Sequence, residues 1–277
     1  MRFGVHVSIS GGLRNAVVAA RKLKCETIQI FSRNPRGWAY KPLDPADVAE
    51  FRQGIKDAGV CPVAVHMPYL PNLASSNRAL YRKSIASLKV ELERAAQIGA
   101  QFVVMHLGRF KTQDSARQRM TAGIDQALAS APGQVLLLLE NTAERAGESQ
   151  TGFEGLGAVI AGAKAANRLG VVLDTAHLFE SGFDLRTTAG LNQMLRAFDT
   201  EVGMKYLHLL HLNDSKTDLG SGVDRHWHIG QGLIGRAGFQ LIVNHPLLRQ
   251  LPGILETPKT TLSQDRRNLR VIRSLVR

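Results

Sequence analysis

Six apolar runs in this 277-residue chain end in a side chain that can bind a proton or a metal ion: PVAVH in His66, QFVVMH in His106, VLLLLE in Glu140, GVVLD in Asp174, YLHLLH in His211 and GILE in Glu256. His177 follows Asp174 by three residues. The Gly/Ser/Asp-rich loop after YLHLLHL adds Asp224 and His226 at spacing i, i+2, which in extended backbone turns both side chains to one side. Neutral imidazoles and carboxylates are natural zinc ligands. A lone His or carboxylate at a strand end is more often a hydrogen-bonded structural residue than a ligand. Six consecutive strand ends are different, because gathering so many carboxylates and imidazoles without a metal leaves uncompensated charge and unpaired polar groups. The oxygen and nitrogen mixture fits zinc or manganese, and the five imidazoles argue against magnesium or calcium. Nine ligands exceed the four of one tetrahedral zinc and imply two or three ions.

Such a cluster needs elements that bring remote residues to one place. Short β-branched or Leu-rich runs predict strands over Phe3–Val7, Thr27–Phe31, Val63–His66, Phe102–His106, Val135–Glu140, Val171–Asp174, Tyr206–Leu212 and Ile254–Glu256. Amphipathic segments between them, including Ser76–Ile98 and Gly155–Ala166, predict helices, and Leu262–Leu275 closes the chain. Eight strands alternating with helices point to a (β/α)8 TIM barrel, in which the C-terminal strand ends converge on the mouth where active sites sit. The alternative, an open doubly wound sheet, lacks a glycine-rich phosphate fingerprint after the first strand. No linker, repeat or low-complexity tract divides residues 1–277, so one domain is expected. His208, three residues before His211, is expected on the opposite face, toward the helices. His228 and His245 are expected to be exposed or capping, and His6 to lie behind the site, face the bound partner or sit in the core.

Lys+Arg 35 against Asp+Glu 23 gives a formal charge of +12 and a pI near 10.2, which favours a polyanionic partner such as nucleic acid over a merely soluble basic surface. Cys25 and Cys61 are too few for a disulfide framework and form no CxxC metal motif, which fits the interior of a cell. MRFGVHVSISGG reads as a strand rather than a signal peptide, and no long uncharged apolar run suggests a membrane span. A cytoplasmic, nucleoid-associated protein is expected.

HLNDSKTDLGSGVDRHWHIGQGLIG, LLLLENTA, VVLDTAHLFESGFDLRT and ILETP resemble the signature segments of the endonuclease IV family of AP endonucleases, DNA-repair enzymes on a three-zinc barrel. The likeness runs from GVHVSISGGL to the closing helix. It implies that His66, His106 and Glu140 serve one zinc, that bridging Glu140 with Asp174, His211 and Glu256 serves a second, and that His177, Asp224 and His226 hold a third. Manganese is an alternative occupant. The loop SRNPRGW resembles the family loop whose Arg enters the duplex, nominating Arg36 with Asn34, and HMPYLPNL resembles the loop that wedges into the gap left by an extruded abasic nucleotide, nominating Tyr69 and Leu70. Planar and apolar side chains can replace lost stacking, and a baseless sugar is inexpensive to flip. Arg225, between two ligands, is the expected phosphate contact. The chain departs from common family residues at Gly37, Ala176, Gly222 and Gln231, which bears on DNA affinity and lesion preference and removes no ligand.

The resemblance implies metal-assisted hydrolysis 5′ to abasic sites in double-stranded DNA, leaving a 3′-hydroxyl and a 5′-deoxyribose phosphate, with removal of 3′-blocking groups as a related activity. Glu140 and Glu256 are the expected catalytic carboxylates, Glu256 also orienting the nucleophile, and a monomer is expected to suffice. Two rivals remain. A sugar isomerase or epimerase would need only Glu140, Asp174, His211 and Glu256, and a nonenzymatic DNA-binding module would explain the charge and the Arg36 loop but not the cluster.

Overall fold

The computed structural model describes residues 1–107, 114–131, 133, 135–144 and 152–277. In chain order its elements are β1 (Arg2–His6), α1 (Arg14–Leu23), β2 (Thr27–Phe31), α2 (Pro45–Asp57), β3 (Val63–His66), α3 (Arg78–Ile98), β4 (Phe102–His106), α4 (Asp114–Ser130), β5 (Leu136–Glu140), α5 (Phe153–Gly162), β6 (Leu169–Asp174), α6 (Thr175–Glu180), α7 (Thr188–Glu201), β7 (Leu207–His211), β8 (Asp214–Ser215), β9 (His226–Trp227), α8 (Gly235–Asn244), β10 (Pro252–Leu255) and α9 (Leu262–Arg273). Eight parallel strands close in the order β1-β10-β7-β6-β5-β4-β3-β2, and helices surround them, so the chain is a TIM barrel. The short β8 and β9 pair antiparallel outside the barrel.

Period-two alternation explains why the barrel is apolar below and polar at its mouth. Ala64, Val104, Leu138, Val172, Leu209 and Ile254 form one fully buried cluster inside the barrel. Each stands two residues before one of His66, His106, Glu140, Asp174, His211 and Glu256, so the same inward face presents the ionisable group one layer higher. Outside, the strands' other face meets helical stripes such as Ile85, Leu88, Leu92 and Ala95 of α3, all buried at helical spacing. Asn77 starts that helix by accepting the N–H groups of Ala79 and Leu80, both at 3.0 Å.

His208 does not face the helices. Val171 pairs with Leu207 and Val172 with Leu209, so a bulge skips His208 and undoes the alternation counted from His211. Its ring centroid lies 6.2 Å from that of Phe102, which packs on the interior cluster. Gly170 makes the room, since a Cβ there would meet His208 Cδ2 at 2.3 Å. Burial lowers the pKa of this imidazole.

Candidate metal centre

Three of the inward-facing histidines are oriented by a bond on the far side of the ring. His66 Nδ1 donates to the Met67 carbonyl at 2.7 Å, His177 Nδ1 to the Asn141 carbonyl at 2.8 Å, and His211 Nε2 to Gln29 Oε1 at 3.0 Å. Because each bond uses the ring N–H, the lone pair of the other nitrogen faces the mouth. Asp174 is positioned twice over, as the last residue of β6 and the N-cap of α6. Its Oδ1 accepts the N–H groups of Ala176 at 2.7 Å and His177 at 3.1 Å, and its Oδ2 accepts from Asn213 Nδ2 at 2.6 Å.

Three groups result, each with ligand atoms within 4.8 Å of one another: His66, His106 and Glu140; Glu140, Asp174, His211 and Glu256; Asp174, His177 and His226. Glu140 joins the first two and Asp174 the last two. Asp224 stands beside the third, its carboxylate oxygens 3.5 Å from the Nε2 atoms of both His177 and His226. All nine sequence-nominated side chains therefore meet at one mouth, although β10 itself ends one residue short of Glu256.

The donor set fits metal ions. His211 Nδ1 lies 2.8 Å from Glu140 Oε1 and 3.2 Å from Glu256 Oε2, and His226 Nε2 lies 3.3 Å from His177 Nε2. Such contacts set lone pair against lone pair unless a proton or a metal cation lies between. Glu140 Oε2 is fully buried with no hydrogen-bond partner among the described residues, while the Nε2 atoms of His106 and His66 face it at 3.3 and 3.4 Å. Burial opposes ionisation throughout, yet nearby opposite charge prevails at several positions. Glu256 and Glu140 push His211 up to about 9, while His177 and His226 hold Asp224 down at about 2. His106 and His211 keep Glu140 well below the usual carboxylate range. Carboxylates that stay ionised and imidazoles that seek a cation are what a divalent ion requires.

Residues not singled out from the sequence complete the mouth. Gln29 bridges His211 and Glu256, donating from Nε2 to Glu256 Oε1 at 2.5 Å, and its nitrogen also lies 3.1 Å from His6 Nδ1. Its signal was a buried polar residue inside the apolar run TIQIF. Thr257 and Lys259 were also missed, and together with His6 and Tyr69, both considered from the sequence, they help line a cavity of about 290 Å³ over the cluster. A larger groove of about 550 Å³ between α3 and α4 shares no residue with it, so size alone does not mark the chemistry. His228 is half-buried rather than exposed, its Nδ1 3.1 Å from Asn268 Nδ2 on α9, and His245 caps the end of α8.

The remaining nominated residues rim the mouth. Asn34 and Arg36 are exposed, and Asn34 Oδ1 accepts the Arg36 N–H at 3.0 Å. Tyr69 is 63% exposed and Leu70 39%, and the Tyr69 N–H donates to the Pro35 carbonyl at 3.2 Å, which joins the two loops. Burial, with Glu256 and Glu140 nearby, pushes the Tyr69 phenol up to about 12, so it remains a neutral donor. Arg225 is exposed beside Asp224, whose carbonyl accepts from its guanidinium at 2.7 Å.

Residues 17–275 match the family model described as xylose isomerase-like TIM barrel. A probable endonuclease 4 of Methanosphaerula palustris is 43% identical over 280 residues, covering 99% of this chain and 98% of that one. The crystal structure of endonuclease IV from Thermus thermophilus superposes with a TM-score of 0.88 at 37% identity, over 99% of this chain and 98% of that one. A 3-keto-D-glucoside 4-epimerase from E. coli superposes at 0.67 with 14% identity, covering 99% of each chain, a likeness of fold alone.

Proposed function

The chain belongs to the endonuclease IV family, and on that premise we propose that it is a DNA-repair deoxyribonuclease. It hydrolyses the phosphodiester 5′ to apurinic/apyrimidinic sites in double-stranded DNA, giving 3′-hydroxyl and 5′-deoxyribose phosphate ends, and removes 3′-blocking groups. The observation that carries this reading is the chain of three abutting ligand groups joined through Glu140 and Asp174. A sugar isomerase built on Glu140, Asp174, His211 and Glu256 leaves His66, His106, His177, Asp224 and His226 without a use.

In this reading three zinc ions, or manganese at one or more positions, are held as the resemblance implies: His66, His106 and Glu140; Glu140, Asp174, His211 and Glu256; His177, Asp224 and His226. When bound, the ions supply Lewis-acid charge that lowers the pKa of water to roughly neutral and neutralises the oxygens of the phosphate undergoing displacement. Glu140 and Glu256 are the catalytic carboxylates. Glu256, held by Gln29, accepts a hydrogen bond from the attacking water and fixes its direction toward phosphorus. Tyr69 and Leu70 enter the duplex beside the extruded baseless sugar, while Asn34, Arg36 and Arg225 engage the opened groove and phosphates. The barrel spans residues 1–277 as one domain and acts as a monomer in the cytoplasm, associated with the nucleoid.

The test is incubation of the purified chain, without added magnesium, on a duplex carrying one abasic-site analogue. Cleavage 5′ to the analogue with a 3′-hydroxyl product supports the reading. No cleavage, together with turnover of a ketose or aldose, transfers the protein to the sugar isomerases.

A further inference from the structure

A fully buried carboxylate outside the ligand set ties two parts of the third group together. Glu180 ends α6, one turn after His177, and is 0% exposed. Its Oε1 accepts from Ser215 Oγ at 2.7 Å, Thr217 Oγ1 at 3.2 Å and the Arg225 N–H at 3.1 Å. The end of the same helix also holds the loop by its backbone, since the Phe179 carbonyl accepts the Gly220 N–H at 3.0 Å and the Glu180 carbonyl the Gly222 N–H at 2.8 Å. Gly222 makes its bond at φ +65°, a conformation that side-chain-bearing residues rarely adopt. The loop closes on itself through Lys216 N–H to the Arg225 carbonyl at 2.9 Å and through pairing of Ser215 with His226.

We propose that Glu180 is a positioning residue that docks the 215–226 loop on α6 and so assembles the His177, Asp224 and His226 site. The need for such a device follows from the geometry. His177 is rigidly held by the helix and by Asn141, whereas Asp224 is 56% exposed on its side chain and sits in a loop whose regular pairing is confined to its two ends. Misplacement of a ligand by about 1 Å is enough to spoil coordination, because metal–ligand distances tolerate only a few tenths of an ångström. A buried carboxylate oxygen that takes three donors from Ser215, Thr217 and Arg225 sets the loop's distance from His177 more firmly than water-exposed contacts would. The other oxygen, Oε2, is buried with no hydrogen-bond partner among the described residues, so the loop is held by one end of the group.

This inference rests on the metal-dependent reading, and its test separates the two. Wild type, Glu180→Ala and Glu180→Gln are compared by elemental analysis, by amide hydrogen exchange and by cleavage of an abasic duplex. Glu180→Ala should lose about one metal equivalent per chain, exchange the Arg225 and Gly222 amides roughly tenfold faster, and lower kcat more than it raises KM. Glu180→Gln keeps the accepting oxygen and should retain both metal and protection; if Glu180→Ala fails to fold, Thr217→Val, which removes the hydroxyl shared by Glu180, Ser221 and the Val223 carbonyl, should show a smaller change of the same sign. Wild-type metal content and wild-type exchange in Glu180→Ala would overturn the proposal. Absence of metal and cleavage from the wild type itself would instead overturn the reading on which it rests.

Discussion

Two fully buried glutamates sit at opposite extremes of electrostatic provision. Glu91 on α3 has both oxygens served by the chain: Oε1 accepts from Arg33 Nε at 2.5 Å and Oε2 from Ser32 Oγ at 2.6 Å, while Arg94 Nε donates to that same hydroxyl at 2.8 Å. Those groups anchor the loop that carries Asn34 and Arg36, since Arg33 also donates to the Trp38 carbonyl and Arg94 to the Lys41 carbonyl. Glu140 is equally buried but surrounded by imidazoles, with one oxygen lacking any hydrogen bond among the described residues. A permanent guanidinium makes the first assembly complete in itself. The second balances only when protons or metal ions join it, which is the difference between a structural anchor and a candidate metal centre.

The largest effects should come from exchanging the chemistry of these two carboxylates. Glu140→Gln should lower turnover on abasic DNA by about a thousandfold or more and reduce the bound metal, because it removes the ligand shared by two groups. Glu91→Gln should leave metal content intact and destabilise the fold by about 3–5 kcal/mol, read by urea unfolding, because Arg33 is then buried without its counter-charge. If Glu91→Gln stripped the metal while Glu140→Gln did not, the contrast would collapse.

Smaller effects sharpen it. His177→Ala should reduce turnover roughly a hundredfold with little change in duplex affinity, measured by single-turnover kinetics beside a binding titration. Joint Tyr69→Ala and Leu70→Ala replacement should weaken abasic-duplex binding by about tenfold or more, at unchanged metal content. For chelated protein, His211 carries a proton in the folded state up to about 9, against 6.5 when free. Its stabilisation is therefore complete below 6.5 and disappears as pH rises through about 9. The melting temperature of metal-free protein should drop across that interval, and that of metal-loaded protein should change much less, because the ion replaces the proton.

The strands and the six ionisable groups at their ends were legible because both follow from period-two alternation, whereas His177 lies on α6 and Asp224 and His226 in the region after β8. An apolar run shows its length, and its last inward residue reveals what reaches the mouth. Strand boundaries moved by a residue or two where hydrogen bonding outran the apolar pattern, as at Leu169–Asp174, and the helix expected over Gly155–Ala166 runs instead over Phe153–Gly162. The bulge at His208 was hidden because it depends on the partner strand's register. The anchors were hidden because they join distant segments: Arg33 meets Glu91 at a separation of 58 residues, and Glu180 meets Arg225 at 45. In sequence Glu91 and Glu180 look like ordinary surface charges on helices, and Arg33 and Arg225 like loop charges.

The most direct test of the central contrast is elemental analysis, with X-ray absorption, of the chain purified without added metal. The account predicts two to three zinc or manganese ions per chain in nitrogen and oxygen ligation without sulfur, reduced by Glu140→Gln and untouched by Glu91→Gln. A wild-type protein that binds one ion or none would show that protons balance most or all of the mouth and would contradict the account.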